Sequence, residues 1–457
     1  VILSASEHTS LMHGWVPVTV QALAAVVLML ALGRSGRRWL PRLALGGALG
    51  LATAVCAYWF INAEGLSADP APTTLWIWIA LAGAAAAILV LGWRSAAWWR
   101  RGASVVAVPL CVLSAGLALN AWVGYFPTVQ NAWDQLTSGP LPDQSDLAAV
   151  NAMATEGRPP ERGRVVPVTI PADASHFKHR GELVYLPPVW FSQSPPPALP
   201  AVMMIGGEFN TPADWLRAGN AIKSVDDFAA AHGGNAPVLV FVDSGGAFNT
   251  DTECVNGPRG NAADHLTDDV VPYVISHFGV SAEPSHWGVA GWSMGGTCAL
   301  DLTTMHPEKF STFVDIAGDL GPNAGSRAQT IARLFGGSVE AWAAFDPATV
   351  ITRHGRYSGV SGWFAVNGSA ETSDAGGQLA AAKSLCALGQ PNGIDCAVVT
   401  EPGRHDWPFA GQAFATALPW LAGRLGTPGV PPVPFPAAPV RAPAAAPTMT
   451  SVHPAGR

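Results

Sequence analysis

Charge is scarce in this 457-residue chain. Asp, Glu, Lys and Arg together make up 12% of it, against 49% hydrophobic residues. That balance is too apolar for a wholly soluble protein and too polar for a bundle of membrane spans alone. It calls for a membrane part joined to a globular part. Basic runs are missing and the net charge is −7, which argues against nucleic acid as a main partner. The chain has no H-E-x-x-H helix, no paired C-x-x-C and no phosphate-binding glycine loop, so neither a metal nor a nucleotide cofactor is indicated. Internal repeats are absent too.

What is present divides in two. Four apolar runs fill the first third: Gly14 to Leu32, Leu40 to Ile61, Thr74 to Trp93 and Ala103 to Tyr125. Each is about the ~20 residues that cross a hydrocarbon core as a helix. Arg42, near the start of the second run, is their only charge away from the extreme ends. The lack of mid-span Asp, Glu, Lys or His argues against an ion or proton pathway, so residues 1–128 read as a four-span anchor. The first run has no basic segment before it and no small-residue cleavage site after it, and so reads as a span and not a signal peptide. Arg34, Arg37, Arg38 and Arg42 surround the first connection, and Arg94, Arg100 and Arg101 the third. The second connection carries Glu64 and Asp69 and no basic residue. Positive charge stays on the cytoplasmic side, which puts both termini, and everything after the fourth span, outside. Tryptophans near the span ends, among them Trp15, Trp59, Trp93 and Trp122, suit an interfacial belt.

Residues 129–164 are polar and rich in Pro and Gly, and read as a linker with a short juxtamembrane helix around Asn131 to Leu136. Beyond it strands alternate with helical stretches. Continuous apolar runs at Ala201 to Ile205, Val238 to Val242 and His286 to Ala290 suit strands buried on both faces. Shorter candidates are Val165 to Ile170, Glu182 to Leu186, Phe313 to Ile316, Gly362 to Val366 and Cys396 to Thr400. Helical stretches such as Asp264 to Phe278 and Gly377 to Leu388 lie between them. The alternation predicts an α/β domain over 165–425, with a mostly parallel sheet covered on both faces. The Pro- and Ala-rich residues 426–457 predict a disordered tail.

The strongest motif is Gly291-Trp292-Ser293-Met294-Gly295. G-x-S-x-G alone is weak, but here a strand feeds into it and an apolar-periodic helix leads out, as at a nucleophile elbow. A serine hydroxyl needs a base to become nucleophilic. In this arrangement the base is a late histidine, following the acid in the chain. His405 follows the last strand and precedes the final helix. His354, the rival, lies before the strand that should precede the acid. The acid belongs in the loop after the Gly362–Val366 strand, where Glu371 is preferred and Asp374 is the alternative. Two oxyanion donors are also needed. One is the amide of Met294. The other comes from the loop after the Ala201–Ile205 strand, where Gly207 is preferred and Glu208 is the alternative. Four of the six cysteines lie outside the spans, and an even number outside the cytoplasm permits disulfides. The expected pairs are Cys254–Cys298 and Cys386–Cys396.

Gly291-Trp292-Ser293-Met294-Gly295-Gly296, with Ala299-Leu300 and His306-Pro307-Glu308-Lys309-Phe310, resembles the putative-esterase family of esterase D and the antigen 85 mycolyltransferases. Met203-Met204-Ile205-Gly206-Gly207 followed by Asp214-Trp215 is similar to that family's oxyanion-loop region. Asp268-Asp269-Val270-Val271-Pro272 is similar to its helix before the elbow strand. Asn367-Gly368-Ser369-Ala370-Glu371 looks like the mycolyltransferase acid loop, one residue shorter. The resemblance runs from about Val165 to Leu421. It implies an α/β-hydrolase fold and ester hydrolysis or acyl transfer through an acyl-serine. With the anchor, it implies an amphiphilic acyl ester at the outer leaflet, one version being an aminoacyl group on a phospholipid. A mycolyl-type acyltransferase and a non-catalytic envelope scaffold are the alternatives.

Overall fold

The structure is a computed structural model describing residues 9–32, 40–64, 71–137, 141, 143–247, 250–368 and 377–436. It opens with four helices: α1 (Trp15–Leu32), α2 (Leu40–Glu64), α3 (Thr73–Gly92) and α4 (Trp98–Val123). All four are long and apolar enough to cross a membrane. They pack through small residues. Gly50 lies against the Ala80 carbonyl and Ala84, and Gly83 against Thr53, so backbones approach closely, as in lipid-embedded bundles. Ala24, Leu28, Trp78, Ala85 and Cys111 fill the shared interior, while Val26, Leu30, Leu51, Val55 and Val90 face outward.

Residues 129–164 are more structured than a linker. Helix α5 (Val129–Leu136) is followed by α6 (Leu147–Glu156), which Asp146 caps by accepting the Ala149 amide. Val150 and Ala154 of α6 are buried in the core of the following domain. Leu147 and Met153 pack beside them, and an apolar face on a ten-residue helix is a signal too brief to stand out from Pro- and Gly-rich surroundings.

The α/β domain is built on eight strands: β1 (Arg164–Val168), β2 (Glu182–Leu186), β3 (Ala201–Ile205), β4 (Val238–Val242), β5 (Trp287–Trp292), β6 (Thr312–Ile316), β7 (Ser361–Asn367) and β8 (Asp395–Glu401). The sheet order is β1-β2-β4-β3-β5-β6-β7-β8. β1–β2 and β2–β4 pair antiparallel, and every later pairing is parallel. β2 to β6 are buried along their whole length, which is why β3, β4 and β5 read as apolar runs.

Helices cover both faces. On one, α10 (Met294–Met305) joins the core of Val289, Phe313 and Phe364; on the other, α8 (Ala221–Ala231) and α13 (Trp407–Arg424) pack on Val202, Leu239, Val314 and Trp363. α9 (Val271–Phe278), α11 (Pro347–His354) and α12 (Gln378–Gly389) complete the first layer, and the short α7 (Asp214–Arg217) follows the loop after β3. Cys254 pairs with Cys298 and Cys386 with Cys396.

The tail corrects one expectation. Residues 426–436 are not a free extension: Thr427 and Val430 are buried, and Phe435 stacks on Trp420 with centroids 5.0 Å apart. One aromatic and one valine dock the segment despite its prolines. The rest of the expected tail, residues 437–457, lies outside the described residues.

Candidate active site

β5 lies mid-sheet between β3 and β6 and ends in the Gly-Trp-Ser-Met-Gly turn. A side chain at Gly291 would overlap the Gly295 carbonyl, and one at Gly295 the Ile205 carbonyl; bulk at either position would hold the turn open. Ser293, at the apex, has φ 58° and ψ −121°, a backbone state costly for a side-chain-bearing residue. Its amide donates to the Ile316 carbonyl at 2.8 Å, tying the apex to the end of β6. α10 begins at the next residue, Met294. First-turn amides have no intrahelical partner, so the Met294 N–H and the positive helix end lie beside the Ser293 hydroxyl.

His405 arrives from the loop between β8 and α13. Its Nε2 lies 3.0 Å from Ser293 Oγ, although 112 residues separate the two in sequence. Asp406 fixes the end of that loop by capping α13, its Oδ1 accepting the Phe409 amide at 3.1 Å. Trp292 lies over the imidazole with centroids 4.2 Å apart. Burial pushes the His405 pKa down to about 4, so the ring is a neutral base at physiological pH. At Nδ1 the described partner is Gln378 Nε2, at 3.2 Å. Gln378 is the first residue of α12, after the loop expected to carry the acid. Glu371 and Asp374 both lie outside the described residues. His354 is elsewhere, stacked on Tyr357 at 3.9 Å.

The loop after β3 closes over Ser293, and a Cβ on Gly207 would come within 3.2 Å of the Ser293 Cβ. The Gly207 amide, however, donates to Asn210 Oδ1 at 2.9 Å. It can serve an oxyanion only by sharing or releasing that bond. Arg180 holds the far side of the loop. Its Nη2 donates to the Asn210 carbonyl at 2.7 Å and to buried Asp243 at 2.6 Å. Sequence reasoning missed Arg180, Asn210, Gln378 and the stacking role of Trp292, because none belongs to a local motif; only the position of Gln378 at a helix start after the acid loop could have marked it.

Carboxylates gather on one flank. Asp251, Asp319 and Glu208 repel the Glu253 carboxylate, and Asp319 also repels that of Asp251. Burial, and then mutual repulsion, raises Asp251 to about 6 and Glu253 well above the usual range, while Arg259 opposes the rise at Asp251. Glu253 is buried, and its Oε2 has no hydrogen-bond partner among the described residues. Glu253 and Cys254 both have positive φ, 48° and 52°, and the Cys254–Cys298 disulfide ties them to α10, five residues past Ser293. The Asp319 amide donates to Thr297 Oγ1 at 2.9 Å, on the first turn of α10.

Among the described residues, His179, Glu182 and His265 bring three possible metal-donor atoms within 4.8 Å of one another. The two imidazoles stack at 4.1 Å with only 24° between their planes, so one ion cannot lie in both ring planes. His265 is instead held between Glu182 at 2.9 Å and Asp269 at 3.2 Å. This is a hydrogen-bonded buried cluster, and the donors as arranged do not fit a metal.

Comparison with known proteins decides the family. The model described as "Putative esterase" matches residues 178–421, more than half of the chain. The chain belongs to this family. The family description points to ester chemistry. An uncharacterized protein of Corynebacterium glutamicum is 30% identical over 300 residues, which cover 64% of this chain and 66% of that protein. The match thus spans just under two thirds of that relative. Among solved structures, an S-formylglutathione hydrolase from Agrobacterium tumefaciens is similar at 17% identity and TM-score 0.48, over 58% of this chain and 97% of that one. A ferulic acid esterase is similar at 18% identity and TM-score 0.46, over 57% and 99%. The four N-terminal helices fall outside the family match, which begins at residue 178.

Proposed function

We propose that the protein is a membrane-anchored, extracytoplasmic serine esterase that cleaves acyl esters presented at the bilayer surface. The observation that carries this reading is Ser293 Oγ at 3.0 Å from His405 Nε2, at the apex of a strand–turn–helix elbow. In the reaction Ser293 attacks the ester carbonyl as His405 takes its proton. The Met294 amide and one from the loop after β3 receive the oxyanion. His405 returns the proton to the leaving alcohol, and water attacks the acyl-serine by the same route. Glu371, with Asp374 as alternative, serves as the acid that orients His405.

Two features support the membrane setting. The first is the run of four apolar helices. The second is α5 immediately after them, which leaves Trp133 and Leu136 exposed, as a helix lying in a headgroup layer does. The two disulfides fit an oxidising compartment, which supports the outward orientation. The carboxylate flank around Glu253 favours the version in which the acyl group carries an ammonium, as an aminoacyl lipid does, because a cation offsets the cost of burying those acids.

The test uses full-length protein in detergent and in vesicles, with a Ser293→Ala control. Substrates are aminoacyl and plain acyl glycerolipids, with p-nitrophenyl esters as soluble references. Serine-dependent cleavage that favours the aminoacyl lipid is the expected result. Preference for the plain lipid would remove the ammonium version, acyl transfer to an added sugar would establish the transferase alternative, and no turnover on any ester would overturn the esterase reading.

A further inference from the structure

The last apolar helix does not simply tether the catalytic domain. Its C-terminal exit lies between the histidine loop and the helix that follows the oxyanion loop, and it touches both. α4 ends at Gly124, whose φ is 70° and whose amide donates to the Asn120 carbonyl at 2.7 Å. The turn is then locked onto the helix. Asn120 Nδ2 donates to the Phe126 carbonyl at 2.9 Å, and the Phe126 amide donates to Asn120 Oδ1 at 2.7 Å. Residues 124–126 therefore move with the span.

Three contacts carry that rigidity into the site. Gly124 lies directly against Asp406, and a Cβ there would overlap the Asp406 Cβ; Asp406 is the neighbour of His405. The Tyr125 hydroxyl donates to Asp214 Oδ2 at 2.8 Å. Asp214 is buried and accepts the Thr211 amide at 2.6 Å, which closes the loop that runs from Gly206 past Ser293. Asn131, on α5, donates to the Arg217 carbonyl at 2.8 Å at the other end of α7. The two receiving elements also touch each other, since Trp215 of α7 meets Trp407 edge-on at 5.2 Å.

We propose that the exit of the fourth span is a positioning element of the active site, in which Gly124 sets the His405 loop and Tyr125 sets the oxyanion loop. This rests on the serine-esterase reading above. Neither residue meets substrate. Each acts through another group, Gly124 through Asp406 and Tyr125 through Asp214. Acylation requires the base and the oxyanion donors to be in place together, and a displacement of ~1 Å can cost about a hundredfold in rate. The anchor then belongs to the catalytic machinery, and a soluble fragment lacking it forms a less ordered site.

The experiment uses the full-length protein in detergent with p-nitrophenyl acetate, so that access to a membrane-borne substrate plays no part. Active sites are titrated with a fluorophosphonate, and kcat is expressed per titrated site. Wild-type turnover that vanishes in Ser293→Ala establishes the esterase reading by itself. The inference then depends on two variants. Tyr125→Phe removes one hydroxyl and is expected to lower kcat per site about tenfold with KM within about twofold, the scale of one hydrogen bond to a charged group. Gly124→Ala is expected to lower it by about a hundredfold. A purely structural role would reduce the number of titratable sites and the melting temperature while leaving kcat per site unchanged. If Gly124→Ala does not fold, Tyr125→Phe decides alone. Wild-type kcat per site in Tyr125→Phe would overturn the inference, and so would an inactive wild type, because the reading beneath it would then have failed.

Discussion

Trp292 lies over the face of His405, with ring centroids 4.2 Å apart and 34° between the planes. The indole belongs to the residue just before Ser293, so a single turn supplies both the hydroxyl and the apolar cover of its base. That cover has an electrostatic cost. A ring shielded from water resists protonation, and burial brings the His405 pKa down to about 4.

The sign of the pH dependence follows. A base works only when unprotonated, so kcat/KM should hold level from neutral pH down past the ordinary histidine value near 6.5 and fall as pH drops toward about 4. Trp292→Ala admits water and should move that acid limb upward, toward ~6.5. A profile on a soluble ester, with pre-incubation controls for acid inactivation, measures both. A wild-type limb at or above 6.5 would mean that a charged partner at Nδ1 outweighs burial.

Gln378 offers a direct probe of that partner. Its Nε2 is 3.2 Å from His405 Nδ1. A half-turn of the amide would instead present Oε1 to an Nδ1–H, the proton arrangement that leaves Nε2 free to accept from Ser293. Gln378→Glu replaces the amide with an anion, which favours the imidazolium. The acid limb should move up by about one unit or more. A limb that stays in place would show that Gln378 does not govern the ring.

The Cys254–Cys298 bond closes a 44-residue separation and joins the strained Glu253–Cys254 turn to α10. Chain entropy for a loop of this size gives about 4 kcal/mol, and strain in the folded state can reduce it. Cys254→Ala with Cys298→Ala should lower stability by about 2–4 kcal/mol, read from denaturant unfolding of the full-length protein. Reduction of the wild type should reproduce much of that loss. Unchanged unfolding in the double variant would remove the bond from the account of the site.

The fold was legible in the sequence because its main signals are local. β3, β4 and β5 are buried on both faces and appear as plain apolar runs, and the elbow glycines follow from the contacts that the turn forbids. Ser293 and His405, which the structure brings together, could be named from the G-x-S-x-G motif in its strand–helix setting and from chain order respectively. What escaped was held by distant or weak signals. α6 docks through Val150 and Ala154 with Leu147 and Met153 packed beside them, and residues 426–436 dock through Val430 and Phe435 against a background of proline. Tyr125 and Asp214 are 89 residues apart, and nothing in either neighbourhood marks the pair. The Gly207 amide was expected to face substrate, but Asn210 three residues later claims it, a side-chain preference that spacing does not reveal.

The most direct test of the central claim is covalent. Full-length protein is treated with a fluorophosphonate, digested, and the modified residue located by mass spectrometry, with Ser293→Ala and His405→Ala alongside. The account predicts a single adduct on Ser293, absent from the alanine variant and slowed by at least about a hundredfold in His405→Ala. An unlabelled wild type, or an adduct on another residue that persists in Ser293→Ala, would contradict it.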